Sequence, residues 1–304
     1  MTSMILDDAP APGSPEWQRS ITASKIPAIL GVSPFDSPFA VWQKLAGRWE
    51  PEPVDKPIFR IGHLAENVMC DYWREQKKRE GERWRLNPGG EMVYQNPDLD
   101  FPHFVTLDRR AWKGGRRFRI LECKTTGWEG LRKWRRPDEP DSIPLNYHVQ
   151  VQFQMGVSGI HEADVLVWLR GGDQVEIHHV TFDPELFALI VMKCEGFYQS
   201  VLDDTPPDLD DSTATYDAVR GIHPDVDESE EVQVPDALAQ ELWDAAAAER
   251  AAKQRLTGAK TAVLDAMGNA KTAFLGDQKV ATRTPSRGAI TLRISKPTQG
   301  KGRW

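Results

Sequence analysis

The chain has 304 residues, 40% of them apolar and 27% charged, which is enough apolar content to bury the core of one large or two ordinary domains. No run approaches the ~18 apolar residues of a membrane span. The acidic, Pro-rich start MTSMILDDAPAPGSPEW lacks the basic and apolar segments of a signal peptide. These features predict a cytoplasmic protein with no membrane partner, and three widely spaced cysteines (Cys70, Cys123, Cys194) exclude a disulfide framework.

Residues 1–16 read as a disordered leader. ITASKIPAIL (21–30) has the spacing of a short helix, with Thr22 or Ser24 as its cap. Ser37 is placed to cap a second helix running to Leu45, with Gly47 ending it. Beyond a Pro-rich loop, residues 62–80 read as a long helix burying Leu64, Val68 and Tyr72, with Cys70 and Trp73 beside them. Strands are predicted at 91–95, 103–107 and 117–123, the basic insert RRAWKGGRR forming a hairpin ahead of the third. A helix at 145–158 follows, despite its β-branched valines. Strands near 163–169 and 174–181 come next, then a helix at 184–201 opened by Asp183-Pro184. This order predicts an α/β core over residues 17–202 and an acidic linker over 203–234. A C-terminal accessory unit then occupies 235–304, an Ala-rich helix or a helical hairpin broken near Gly258, followed by short strands.

The net charge of −7 conceals a strong segregation. Residues 109–136 hold eleven Lys and Arg against Glu122 and Glu129, a local charge of +9. Residues 201–241 hold thirteen Asp and Glu against Arg220, a local charge of −12. A basic run of this kind suits either a solvated face or a stripe that follows a phosphate backbone. On the second reading Arg109, Arg110, Arg116, Arg117, Arg132 and Lys133 contact DNA. Trp112, Trp128 and Trp134 within or beside the run are candidates to stack on unpaired bases.

The strongest chemical signal is Asp108 followed by Glu122-Cys123-Lys124. Two strand-borne carboxylates and the Cys123 backbone carbonyl are hard oxygen ligands suited to Mg²⁺. Such an ion polarises a phosphodiester and lowers the pKa of a coordinated water. Lys124 lies two residues beyond Glu122 and so on the same strand face, where it can orient the attacking water or stabilise developing charge. Glu66, early in the long helix, supplies a third carboxylate to the metal directly or through water. Tyr147 and Gln150 share one helical face and can contact the nucleophile or the scissile phosphate without adding charge.

The ordered set ITASK (21–25), GHLAE (62–66), TLD (106–108), LECKTT (121–126) and YHVQVQFQM (147–155) resembles the YqaJ-like viral recombinase nucleases. These group with lambda-type exonuclease in the PD-(D/E)xK superfamily, and the resemblance covers about residues 17–202. It implies a restriction-endonuclease-like core, a mixed central sheet flanked by helices. It also implies a Mg²⁺-dependent exonuclease, with Mn²⁺ substituting, that degrades one strand of linear duplex DNA from the 5′ end. The 3′ overhangs so made would pass to a single-strand annealing recombinase in phage or prophage recombination, inside a bacterial host.

By position the resemblance makes Asp108 and Glu122 metal ligands and Lys124 the catalytic lysine. Glu66 becomes the helix carboxylate, and Gln150 and Tyr147 the helix motif. It assigns the DNA 5′-phosphate to Ser24, with Arg19 and Thr106 as companions, and it suggests a ring-shaped homo-oligomer around duplex DNA. Leu107 stands where the superfamily has Pro. A CRISPR-associated relative of the same fold is the competing enzyme, but that group carries a four-cysteine cluster this chain lacks. A site-specific restriction enzyme and a non-catalytic DNA-end binder compete as well. Retention of Asp108, Glu122 and Lys124 together argues against the binder.

Overall fold

A computed structural model describes residues 3–51, 56–88, 90–115, 117–134, 142–170, 172–173, 175–286 and 288–295. The elements, in chain order, are β1 (Met4–Ile5), α1 (Pro15–Gln18), β2 (Ile21–Thr22), a 3-10 turn (Ala23–Lys25), α2 (Ile26–Ile29), α3 (Pro38–Leu45) and α4 (Pro57–Arg79). There follow β3 (Arg85–Leu86), β4 (Met92–Gln95), β5 (His103–Leu107), β6 (Arg109–Lys113), β7 (Arg117–Thr126), α5 (Trp128–Leu131) and α6 (Leu145–Ser158). The chain ends with β8 (Glu162–Leu169), β9 (Val175–Thr181), α7 (Pro184–Leu202), α8 (Thr213–Ile222), α9 (Asp236–Met267), β10 (Thr272–Leu275), β11 (Gln278–Ser286) and β12 (Ala289–Ile294). They cluster into two compact units, Met1–Val226 and Asp227–Trp304.

In the first unit a five-stranded sheet runs β3-β6-β7-β8-β9, and a four-stranded sheet runs β1-β4-β5-β2. β7 and β8 are parallel and joined through α6, while β6–β7 and β8–β9 are antiparallel, so the expected mixed sheet flanked by helices is present. The insert RRAWKGGRR forms the β6–β7 hairpin, pairing Arg109 with Leu121 and Lys113 with Arg117. Residues expected as a disordered leader instead contribute β1, which pairs with β4.

Alternation along β7 and β8 sorts side chains between two apolar layers. Ile120, Val165 and Val167 face the layer holding Val149, Phe153 and Phe187 of α6 and α7. Leu121 and Leu166 face the layer holding Ala65, Met69, Cys70 and Trp73 of α4. The expected buried face of this helix is therefore rotated. Leu64 and Val68 are 72% and 59% exposed, and Ala65, Met69, Cys70 and Trp73 take the core positions. A charge-rich helix offers two apolar stripes, and only the sheet beneath selects between them.

α6 reads VQVQFQM with period two, a strand-like pattern, yet it is helical because it is enclosed on nearly every side. Its valines, Phe153 and Met155 fill the core, and its glutamines satisfy buried polar groups: Gln152 Nε2 donates to the Thr181 carbonyl at 2.9 Å and its Oε1 accepts from the Asp183 N–H at 2.9 Å. Gly156 admits Phe187 of α7, whose ring would lie 2.1 Å from a Cβ at that position. α6 then ends at Gly159 in the left-handed conformation, φ 69°.

Ser37 caps α3 by accepting from the Ala40 N–H at 3.1 Å, as its sequence predicts. The acidic segment expected as a linker contains α8, capped by Ser212. Ala218 of α8 packs on Phe39 and Ala40, and Thr215 Oγ1 donates to Ser37 Oγ at 2.7 Å. In the described residues of the second unit, α9 runs unbroken through Gly258 and is followed by a three-stranded antiparallel sheet β10-β11-β12.

Candidate active site

The β5–β6 corner, β7, α4 and α6 surround a cavity of about 330 Å³. Strand β7 presents Glu122 and Lys124 to one face and Cys123 to the other, as the period of two requires. Glu122 is 2% exposed and fully engaged. Its Oε1 accepts from Lys124 Nζ at 2.5 Å and Gln150 Nε2 at 2.8 Å, and its Oε2 accepts from Gln154 Nε2 at 2.8 Å. Asp108, at the turn between β5 and β6, accepts from the Cys123 N–H through Oδ2 at 2.7 Å, which fastens that corner to β7. Glu66 of α4 lines the same cavity and pairs with His63 Nδ1 at 3.0 Å.

The electrostatics follow from crowding. Burial, then the neighbouring Glu122 charge, raises the Asp108 carboxyl well above the ordinary aspartate range. Burial likewise raises Glu66, partly offset by His63. Burial would lower the Lys124 ammonium, but Glu122 and Asp108 outweigh it and hold its pKa above the ordinary lysine value. Glu122 and Asp108 thus share one ammonium, with Glu66 in the same cavity. Gln154 Oε1 is buried with no hydrogen-bond partner among the described residues. Excess negative charge on hard oxygen donors, with an acceptor to spare, fits a divalent cation of the Mg²⁺ or Mn²⁺ type. Asp108, Glu122, Glu66 and the Cys123 carbonyl are the expected holders. A tight donor group among the described residues is His63, Glu66 and Glu91, whose ligand atoms lie within 4.8 Å of one another.

Of the residues singled out from sequence, the cavity gathers Ser24, Glu66, Thr106, Asp108, Glu122, Cys123, Lys124 and Gln150. Tyr147 stands beside it, with Lys124 Nζ 5.1 Å from its ring centroid. Thr106 takes part through its carbonyl, which accepts from Gln154 Nε2 at 3.0 Å. Arg19 is not brought to Ser24. It lies over Gly47, 3.9 Å from Glu50 Oε1, in a different cavity.

Most of the described basic residues are spent within the fold. Arg109 bonds Asn67 and the Asn87 carbonyl, Arg110 donates to Tyr94 Oη at 2.9 Å, and Arg117 pairs with Glu162 at 3.0 Å. Arg132 and Lys133 are exposed, and Arg116 lies outside the described residues. Trp134 is buried and stacked on Tyr147, with ring centroids 5.5 Å apart, rather than free to stack on a base.

Sequence reasoning passed over Gln154, Glu91, Pro12 and Trp17, all of which line the cavity. Gln154 had a usable signal, since it lies one helical turn beyond Gln150. Glu91, Pro12 and Trp17 had none, because they arrive from segments far from Glu122 in the chain.

The fold and the cavity together define an α/β protein whose site is built from carboxylates, one lysine and helix-borne amides. Residues 16–161 match the family model of the YqaJ-like viral recombinase domain. The uncharacterized protein YqaJ of Bacillus subtilis (strain 168) is 28% identical over 201 residues, 66% of this chain and 59% of that one. The chain therefore spans about three fifths of the length of this relative. Among solved structures, an alkaline exonuclease (LHK-Exo) from Laribacter hongkongensis aligns at 15% identity with a TM-score of 0.47, covering 62% of this chain and 90% of the other. A phage related exonuclease from Haemophilus somnus 129PT aligns at 12% identity with a TM-score of 0.41, covering 61% and 96%.

Proposed function

We propose that the chain is a metal-dependent deoxyribonuclease that degrades one strand of linear duplex DNA from its 5′ end. The observation that carries this reading is the clamp on Glu122, held by Lys124, Gln150 and Gln154 in one cavity with Asp108 and Glu66. A divalent cation held by Asp108, Glu122, Glu66 and the Cys123 carbonyl would supply Lewis-acid polarisation of the phosphodiester.

The chain's own groups do the rest. Gln150 and Gln154 fix the Glu122 carboxylate without adding charge. Lys124, whose pKa its acidic neighbours hold up, offers a cation to the charge that builds on the phosphoryl oxygens. Ser24 Oγ, 3.0 Å from Thr22 Oγ1 at the cavity's edge, offers a hydroxyl to a terminal 5′-phosphate. The products are 3′ overhangs for a single-strand annealing partner in phage or prophage recombination in a host cytoplasm, and the working form is a homo-oligomeric ring.

The test is degradation of linear against covalently closed circular duplex DNA with Mg²⁺ or Mn²⁺ and with EDTA. Linear DNA alone should be consumed, and only with the metal. Nicking of the circle at an equal rate would point to an endonuclease, and inertness on both would leave a DNA-end binder.

A further inference from the structure

A second cavity, of about 660 Å³, is lined by Tyr147 and by Thr125 and Thr126, which follow Lys124 on β7, and its described lining differs in charge. The Lys124 site is lined by Glu66, Glu91, Asp108 and Glu122, whereas no carboxylate among the described residues lines this one. Its cations are Lys133, just past α5, and Arg170, at the end of β8. Among the described residues neither side chain has a hydrogen-bond or ion-pair partner, unlike Arg109, Arg110, Arg117 and Arg119 of the same basic region.

The apolar wall consists of Phe35, 75% exposed, and Tyr147 stacked on Trp134. Two glycines in the lining allow close approach of their neighbours. A Cβ on Gly130 would lie 2.2 Å from Thr126 Oγ1, and one on Gly127 would touch the Arg170 guanidinium at 3.4 Å. The Arg170 N–H donates to the Thr126 carbonyl at 2.8 Å, so the backbone that presents this arginine is fixed to the end of the strand bearing Glu122 and Lys124.

We propose that this cavity is a nucleotide subsite, taking a phosphate on Arg170 and Lys133 and a base against Phe35. Unpaired cations beside an exposed aromatic face are the chemistry that holds a nucleotide, since guanidinium and ammonium groups bind phosphate and aromatic rings stack on any base. The volume lies within the range of small-molecule sites, roughly 300–1,000 Å³. Its lining begins at Thr125, the residue after Lys124 on β7, which puts it beside the proposed cleavage site. The occupant is therefore the neighbouring nucleotide of the strand or the nucleotide just released. The choice of a nucleotide rests on the nuclease reading, but binding is measured without cleavage.

The probe is 2-aminopurine deoxyribonucleoside 5′-monophosphate, whose fluorescence falls when its base stacks, titrated into the full-length protein in EDTA. The expected result is saturable quenching in the wild type. The double variant Arg170→Gln, Lys133→Gln should raise the Kd about tenfold or more, and Phe35→Ala should reduce the quenching at saturation. The nucleoside without its phosphate should bind the wild type as weakly as the nucleotide binds the double variant.

A 5′-phosphorylated 2-aminopurine dinucleotide separates the two sources. Tighter binding than the monomer assigns the site to the passing strand, and equal binding assigns it to released product. No quenching in the wild type, an unchanged Kd in the double variant, or loss of binding with Ser24→Ala alone would overturn the proposal. If linear DNA survives Mg²⁺ while probe binding still follows Arg170 and Lys133, the nuclease reading fails and the nucleotide site stands.

Discussion

Lys124 and Glu122 form a pair in which each fixes the other's state. The carboxylate keeps the amine protonated, and the amine with Gln150 and Gln154 leaves Glu122 one geometry. Lys124→Ala and Glu122→Gln should each lower cleavage of linear DNA by ~10²–10³-fold or more, the usual cost of removing a charge-stabilising group. Circular dichroism should show both folded, and gel shifts with Ca²⁺ should show that both bind DNA. Near-native turnover in either variant would remove these residues from the chemistry. Ser24 carries a narrower expectation. A 5′-phosphorylated end should be degraded faster than a 5′-hydroxyl end, and Ser24→Ala should shrink that preference. Equal initial rates on the two ends in the wild type count against a phosphate pocket at Ser24. Lys25 beside it holds the corner, its Nζ donating to the carbonyls of Trp17, Gln18 and Ser20 at 2.9, 2.6 and 2.8 Å.

Among elements, the packing of α4 on the five-stranded sheet depends on a polar node inside an apolar layer. Asp164 of β8 accepts from Trp73 Nε1 of α4 at 2.6 Å, Arg119 Nη1 of β7 at 2.9 Å and His179 Nδ1 of β9 at 2.9 Å. Burial alone would raise the Asp164 carboxyl, but His179, Arg119 and Trp73 outweigh it and hold it below the ordinary value. Asp164→Ala leaves Arg119 and the Trp73 N–H without this partner and should cost ~3–5 kcal/mol in urea unfolding at pH 7.

The sign of its pH dependence follows from a depressed carboxyl. The stabilisation is fully present above the unfolded value of about 3.9 and is lost as pH falls through the lower folded value. The gap between wild type and variant should therefore close as pH falls through that lower value in strong acid. A gap that persists there would show that Asp164 is not the group being titrated.

For the whole molecule, the buried apolar clusters among the described residues draw their members from residues up to Ile222. Deleting residues 227–304 should thus leave a folded 1–226 unit with a cooperative melting transition. Within the second unit, Leu238, Leu242 and Trp243 of α9 are exposed and share one helical face. Such a stripe suits a joint between copies of the chain. Light scattering should show the full-length protein as an oligomer and the truncated protein as a monomer. A truncated protein that keeps its oligomeric mass would move the joint into the 1–226 unit.

By itself the sequence determined the elements and the chemical ranks. Alternation in the strands, the Ser37 cap and Asp183-Pro184 are local signals, and α3, α6, β8, β9 and α7 lie within a residue or two of where the sequence predicts them. Asp108, Glu122 and Lys124 were legible because strand alternation and a short hairpin carry them into one place. What needed tertiary structure was every choice among surfaces. The face of α4 that is buried, the diversion of Arg109, Arg110 and Arg117 into internal pairs, and the separation of Arg19 from Ser24 depend on partners far away in the chain. Glu91 and Trp17 join the cavity for the same reason, and Gln154 becomes a ligand to Glu122 only once α6 crosses β7. Local propensity fixes how a segment coils. The burial of charge and apolar area, which decides what that segment touches, is a property of the assembled layers.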